Sequence, residues 1–179
     1  MEATLREHYE ALWGAPSREA SFRKAAATVT VLKWDATERT GDVVVYASLG
    51  GWKAESPAQP AHRQEYVLGL LPELDDSAAT FALLGGRGAD LLGDGDSLQV
   101  EGGLWAGTGM DSWLLAEPRS PLVPELVHDG LHVRWLQAVP LYPSERTWKV
   151  VNGAARLWAA WEAAGVRFWD PRRPVWSND

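Results

Sequence analysis

The amino-acid sequence predicts an α+β fold: a mixed or antiparallel sheet of about six strands packed by about three helices. Three observations lead there. Runs rich in β-branched and aromatic residues are grouped along the chain instead of alternating with helical segments. An amphipathic segment opens the chain. Leu131 to Gly165 then reads as a strand, a proline corner and a helix in succession, a packing unit on which the rest is organised.

Glu2 to Trp13 carries Leu5, Tyr9, Leu12 and Trp13 at helical spacing, and Gly14-Ala15-Pro16 closes it. Ala27 to Trp34 and Val43 to Leu49 are β-branched and extended, and the polar Asp35 to Asp42 suits a hairpin loop between them. Gly50-Gly51 ends the second strand, and Trp52 to His62, with Pro57 and Pro60, shows little periodicity. Glu65 to Leu71 is a third strand stopped by Pro72. Asp75-Asp76 offers capping oxygens to a short helix reaching about Leu84. Gly85 to Ser97 is a glycine-rich connection. Leu98 to Leu104 and Asp111 to Ala116 are two further strands, and Pro118, Pro121 and Pro124 mark an extended crossing. Asp129-Gly130 has two-residue hairpin chemistry, pairing Leu126–His128 with the strand from Leu131.

In that last strand Leu131, Val133, Trp135, Gln137 and Val139 share one parity, and Pro140 is expected to end the ladder. Pro143 turns the chain and Ser144 caps the helix, with Glu145 in its first turn, where negative charge is favoured. Trp148, Val151, Ala155, Trp158 and Trp161 make an inward stripe. Asn152-Gly153 interrupts that helix, and Gly165 is placed to cap its C-terminus.

A length of 179 residues fits one domain, 1–179. A chain of that size buries roughly 70% of its unfolded surface. No cysteine is present, so disulfides and thiolate metal sites are excluded. The N-terminus is acidic and amphipathic, unlike a signal peptide, and no window nears the roughly 20 apolar residues of a membrane span. A cytoplasmic protein off the membrane is expected. The formal charge of −7 argues against nucleic acid, favours solubility and would suit a basic protein partner. Eleven tryptophans against three phenylalanines exceed ordinary core needs, leaving a few as candidate interface anchors.

No motif carries catalysis. Gly85-Gly86-Arg87-Gly88 lacks the ending of a phosphate loop, and Asp94-Gly95-Asp96 lacks a calcium-loop frame. His128 and His132 flank the Asp129 turn, but no further ligand is designated, so neither metal nor cofactor is expected. There is no nucleophile elbow and no His-Glu-x-x-His. Arg63 and Glu65 share a parity and read as structural or solvated. Glu145 beside Tyr142 has two readings: helix cap with a packed corner, or groove residues contacting a ligand or partner. Trp52 is a candidate anchor, and Trp52, Trp105 and Trp113 together could stack a sugar or base.

The run from Val133 to Trp161, followed by Gly165-Val166 and Trp169-Asp170-Pro171-Arg172-Arg173, resembles the end of the suppressor of fused-like domain. Pro140, Leu141, Tyr142, Glu145, Gly153, Asp170, Pro171 and Arg172 fall on its pattern in order. Arg63 to Pro72 resembles that family's Glu-(aliphatic run)-Pro strand. After Leu49 the chain departs from the pattern, with Gly50-Gly51-Trp52-Lys53 where the family has a Gly-Met-Ser-type turn. The resemblance implies a suppressor of fused-like fold and a non-enzymatic, protein-binding role, with bacterial relatives resembling immunity proteins that block a cognate toxin. Trp52, Tyr142 and Glu145 are then the candidate partner contacts, while Pro140, Leu141, Gly153, Asp170 and Pro171 are structural. The competing expectation is a sugar- or nucleotide-binding protein, or a hydrolase, with an acidic, tryptophan-lined cleft.

Overall fold

The opening helix, α1 (Glu2–Trp13), forms where the spacing predicts it, burying Leu5, Tyr9 and Trp13 and ending at Gly14, φ 84°. The structure, a computed structural model, describes residues 1–24, 27–87, 91–118 and 123–177. The strands are β1 (Arg18–Lys24), β2 (Ala27–Trp34), β3 (Val44–Leu49), β4 (His62–Leu70), β5 (Ser97–Gln99), β6 (Ser112–Ala116), β7 (Leu126–His128) and β8 (Leu131–Leu141). They form one sheet in the order β1-β2-β3-β4-β8-β6-β5, with β7 paired to β8. All pairs are antiparallel except β4 with β8, so the sheet is mixed. Its α+β class is as expected.

The strand count is higher than the sequence suggests, for physical reasons. β1 reads Arg-Glu-Ala-Ser-Phe-Arg-Lys and carries no apolar alternation, because an edge strand can expose charged side chains, which also discourage further pairing. Conversely β5 stops at Gln99 instead of running to Leu104. Pro140 lies inside β8, opposite Trp113, instead of ending it. β4 pairs with β8 only as far as Gln137, so beyond that point one side of β8 has no ladder that needs the missing N–H.

The remaining helices are α2 (Ser77–Gly85), α3 (Pro143–Asn152) and α4 (Ala154–Ala163). At α2 the expected aspartate cap is absent: the Asp75 carboxylate binds Lys33 Nζ at 2.8 Å and the Tyr46 hydroxyl at 3.2 Å. The hydrogen bond from Lys33 holds the Asp75 carboxyl below its usual range. Ser144 does not cap α3 either. Tyr142 is the N-cap and Pro143 the first helical residue, while Glu145 reaches back to the Tyr142 N–H at 3.0 Å.

Gly153, at φ 90° and ψ 154°, splits the predicted single helix into α3 and α4. The break resets the helical phase, so the predicted stripe fails at its middle: Val151 is 77% exposed and Ala155 is also exposed. Inward positions of α4 are Leu157, Trp158 and Trp161. Gly165 ends α4 at φ 64°, with its N–H on Glu162 O and the Val166 N–H on Trp161 O, a Schellman closure. The Gly153 conformation is open essentially to glycine alone, so Gly153→Ala is expected to cost about 1–3 kcal/mol. Urea unfolding that showed less than about 0.5 kcal/mol of loss would contradict this.

The sheet is covered on both faces. On one, Phe81, Ala82 and Leu84 of α2 pack over Val29, Tyr46, Leu68 and Leu136. On the other, α1 covers one end through Leu5, Tyr9 and Trp13 against Leu32, Trp34 and Trp135. The far end is covered by α4, with Leu157, Trp158 and Trp161 against Leu114, Val139 and Leu141. Between α1 and α4 that second face is left open.

Candidate functional site

The proline corner assembles the residues that the resemblance marks. Glu145 is fully buried, and its carboxylate takes Arg173 Nη1 at 2.5 Å, Arg173 Nη2 at 2.7 Å and the Trp176 N–H at 3.1 Å. Arg173 Nη2 also donates to the Pro140 carbonyl at 3.1 Å. The guanidinium lies 5.3 Å from the Tyr142 ring and 5.0 Å from the Trp161 ring. Tyr142 donates its hydroxyl to the Arg173 carbonyl at 2.7 Å. The geometry therefore gives Glu145 a helix-capping and tail-holding role, with its carboxylate inside the fold. Arg173 is the tie that sequence reading missed. The pattern points to Arg172, which is exposed, whereas Arg173 is 4% exposed. Leu141 and Pro171 are buried, and Asp170 shapes the tail turn by accepting the Arg172 N–H at 2.8 Å.

Trp52 stands apart from that corner, in the 3-10 turn Gly51–Lys53 after β3. Its ring lies 5.7 Å from Lys53 Nζ, and Lys53 pairs with Glu2 of α1 at 3.2 Å. The turn is clasped by Glu65, which is wholly buried and whose Oε1 accepts the Gly50 N–H at 2.9 Å and the Trp52 N–H at 3.0 Å. Oε2 accepts the Ser48 hydroxyl. Burial pushes Glu65 up to about 7, against the pull of those donors. A Cβ on Gly51 would meet the Gln64 carbonyl oxygen at 2.5 Å, so only glycine fits beneath the turn. Arg63, also buried, does not pair with Glu65 but with Pro60 O, His62 O and Glu55.

Other sequence candidates are dispersed. The suggested platform of Trp52, Trp105 and Trp113 is not formed: Trp113 is fully buried beneath α2, and Trp52 packs on the opposite face of the sheet. His132 stacks on His62 with ring centroids 5.5 Å apart, while His128 lies 3.4 Å from Thr4 Oγ1. Val127, not His128, is the register partner of His132, so the two histidines sit on opposite faces. Among the described residues no three histidine, aspartate or glutamate side chains group as a metal site.

The open strip of the second face forms a groove of about 470 Å³. Val45, Val67, Gly69 and Gln137 make its floor, Trp13 one wall, Phe168 and Trp169 the other, with Asp42 on the rim. Two signals for it stood in the sequence: Gln137 is the polar member of an apolar parity in β8, and Gly69 interrupts an aliphatic strand. Their convergence needed the topology.

What these residues build is a single-sheet α+β scaffold with a tied C-terminal corner and a preformed apolar groove. The chain belongs to the suppressor of fused family: the family profile described as Suppressor of fused protein (SUFU) matches residues 78–174. No curated protein sequence matches it. Among solved structures it is similar to a SUFU homolog from Neisseria gonorrhoeae, with 16% identity and TM-score 0.72, over 98% of this chain and 97% of that one. The Sufu–Fu complex has a chain with 11% identity and TM-score 0.69, over 97% and 90%. Drosophila Suppressor of Fused gives 11% and 0.65, with 96% of this chain covering 50% of that one. At such identities these likenesses concern the fold. Among the described residues no helix is long and apolar enough to cross a membrane.

Proposed function

We propose that the chain is a non-enzymatic protein-binding domain that acts in the cytoplasm as an immunity protein, binding and neutralising a cognate toxin of a bacterial polymorphic toxin system. The observation that supports this most is its membership of a family in which one structure of the same fold is a complex with a protein, Fu. The likeness to the Neisseria gonorrhoeae homolog runs domain for domain, which favours the bacterial comparison. A formal charge of −7 suits a basic toxin surface, where opposite charge speeds encounter. Trp52 and Tyr142 contact the partner in this reading, and Glu145 contributes by fixing Tyr142.

The test is titration calorimetry of the chain with a toxin domain encoded beside its gene, at two salt concentrations. Binding is expected to weaken at the higher salt, and Trp52→Ala to lower affinity about 30-fold, the roughly 2 kcal/mol of an aromatic anchor. No complex at low salt overturns the reading. One observation favours a second reading, a sugar- or nucleotide-binding protein: the groove has tryptophans on both walls and an acid on its rim. Saturable binding of a monosaccharide or nucleotide there, with no toxin complex, would establish it instead.

A further inference from the structure

The groove is shaped by packing within the fold. Trp13 is held by Trp34, with ring centroids 4.9 Å apart, and by Tyr9 at 5.8 Å. On the other side Phe168 is braced edge-on by Trp158 at 5.2 Å and by Trp169 at 5.0 Å. The Trp169 carbonyl accepts the Leu71 N–H at 2.9 Å, fastening that wall to the end of β4. Gly69 keeps the floor low, since a Cβ there would meet Val43 Cγ2 at 3.1 Å. A preformed cavity avoids much of the ordering cost of binding, and about 470 Å³ lies within the roughly 300–1,000 Å³ usual for a bound group.

Two polar groups in this apolar setting lack protein partners among the described residues. The Gln137 carboxamide lines the floor with no hydrogen bond, and the Asp42 carboxylate stands at the rim with no ion pair. Asp42 is held at φ 60° directly after Gly41 at φ 67°, a left-handed pair that fixes the turn on the groove's lip. It is the one charged side chain among the described lining residues, and it is an acid on a chain of net charge −7. Leu71, 44% exposed, adds apolar surface to the lining.

We propose that this groove seats an apolar segment of a basic protein partner, with one aromatic or aliphatic side chain between Trp13 and Trp169 and an adjacent lysine or arginine on Asp42. Gln137 supplies a hydrogen bond to the segment's backbone. The proposal rests on the protein-binding reading above and adds to it a contact apart from Trp52 and Tyr142, with its own chemistry.

The experiment uses two probes, acetyl-Leu-Trp-Lys-amide and acetyl-Leu-Trp-Glu-amide, and follows the indole N–H resonances of Trp13 and Trp169 and the carboxamide of Gln137. The lysine peptide is expected to move all three and to bind about fivefold tighter than the glutamate peptide, the effect of an exposed ion pair at its upper strength. Asp42→Asn, which keeps a residue tolerant of positive φ, should erase that preference. Gln137→Trp, which fills the floor, should lower lysine-peptide binding at least about tenfold. If that variant does not fold, the Asp42→Asn comparison still decides. No movement of the Trp13 and Trp169 signals up to roughly 1 mM peptide overturns the proposal. Equal affinity for the two peptides does so too, as does a preference that survives Asp42→Asn. A chain that binds the toxin domain but ignores both peptides loses the groove and keeps the proposed function. One that takes the lysine peptide but no toxin domain keeps the groove and loses the immunity role.

Discussion

Arg173→Ala is expected to cost about 3–5 kcal/mol of folding stability, a large share of what a domain this size possesses. The reason is what the substitution leaves behind. Glu145 is fully buried, and with the guanidinium gone its carboxylate would face only the Trp176 and Tyr142 N–H groups as compensation. The Pro140 carbonyl would lose its side-chain donor, and the rings of Tyr142 and Trp161 would lose the cation between them. Because Arg173 belongs to the tail and Glu145 to α3, the tail should detach before the sheet melts. Urea unfolding gives the total, and hydrogen exchange at the Trp176 N–H reads the local release. Arg172→Ala, one residue earlier but exposed, should change stability by no more than about 0.5 kcal/mol. Equal effects from the two substitutions would mean that the buried pair does not hold the corner.

The difference between those neighbouring arginines shows where sequence reading stops. Local signals sufficed for α1, for β2, and for the Asp129-Gly130 turn, because each is written in the spacing or conformational preference of a few adjacent residues. The helix break at Gly153 was also legible, yet its consequence was not. A stripe counted through the break assumes one helical phase, and the backbone at Gly153 discards it, which is why Val151 ends exposed. β1 is not legible locally, because a charged edge strand carries no burial pattern. The corner is legible through its resemblance to the family pattern, with Tyr142 and Glu145 in it, but whether Arg172 or Arg173 reaches Glu145 depends on how the Asp170 turn orients the tail. The groove was least legible of all. Its walls come from α1 and from the segment after α4, far apart in sequence, and only the parallel pairing of β4 with β8 brings the floor between them.

Glu65 gives the second large effect, and one that carries a pH signature. Burial raises its pKa from an ordinary 4.5 to about 7, with the Ser48 hydroxyl and the turn N–H groups pulling the other way. A carboxyl that holds its proton more tightly folded than unfolded makes the fold most stable below the unfolded value. That contribution is lost as pH rises towards the folded value, so between about 4.5 and about 7 stability should fall by roughly 3 kcal/mol in total. Glu65→Gln should flatten this slope, since the amide does not titrate. Its oxygen can accept the Gly50 and Trp52 N–H groups, while its NH2 reverses the Ser48 bond by donating to the hydroxyl oxygen. Glu65→Ala should instead lose about 3–5 kcal/mol, because two buried N–H groups and a hydroxyl are left unpaired beside a new cavity. Urea unfolding of the three proteins across that pH range, together with the carbon-13 titration of the Glu65 carboxyl, measures both claims. A carboxyl that titrates near 4.5, or a slope that persists in the Gln variant, would remove Glu65 as its source. Since the turn that Glu65 clasps is the one that presents Trp52, the Ala variant should also weaken partner binding while leaving the Tyr142 corner intact.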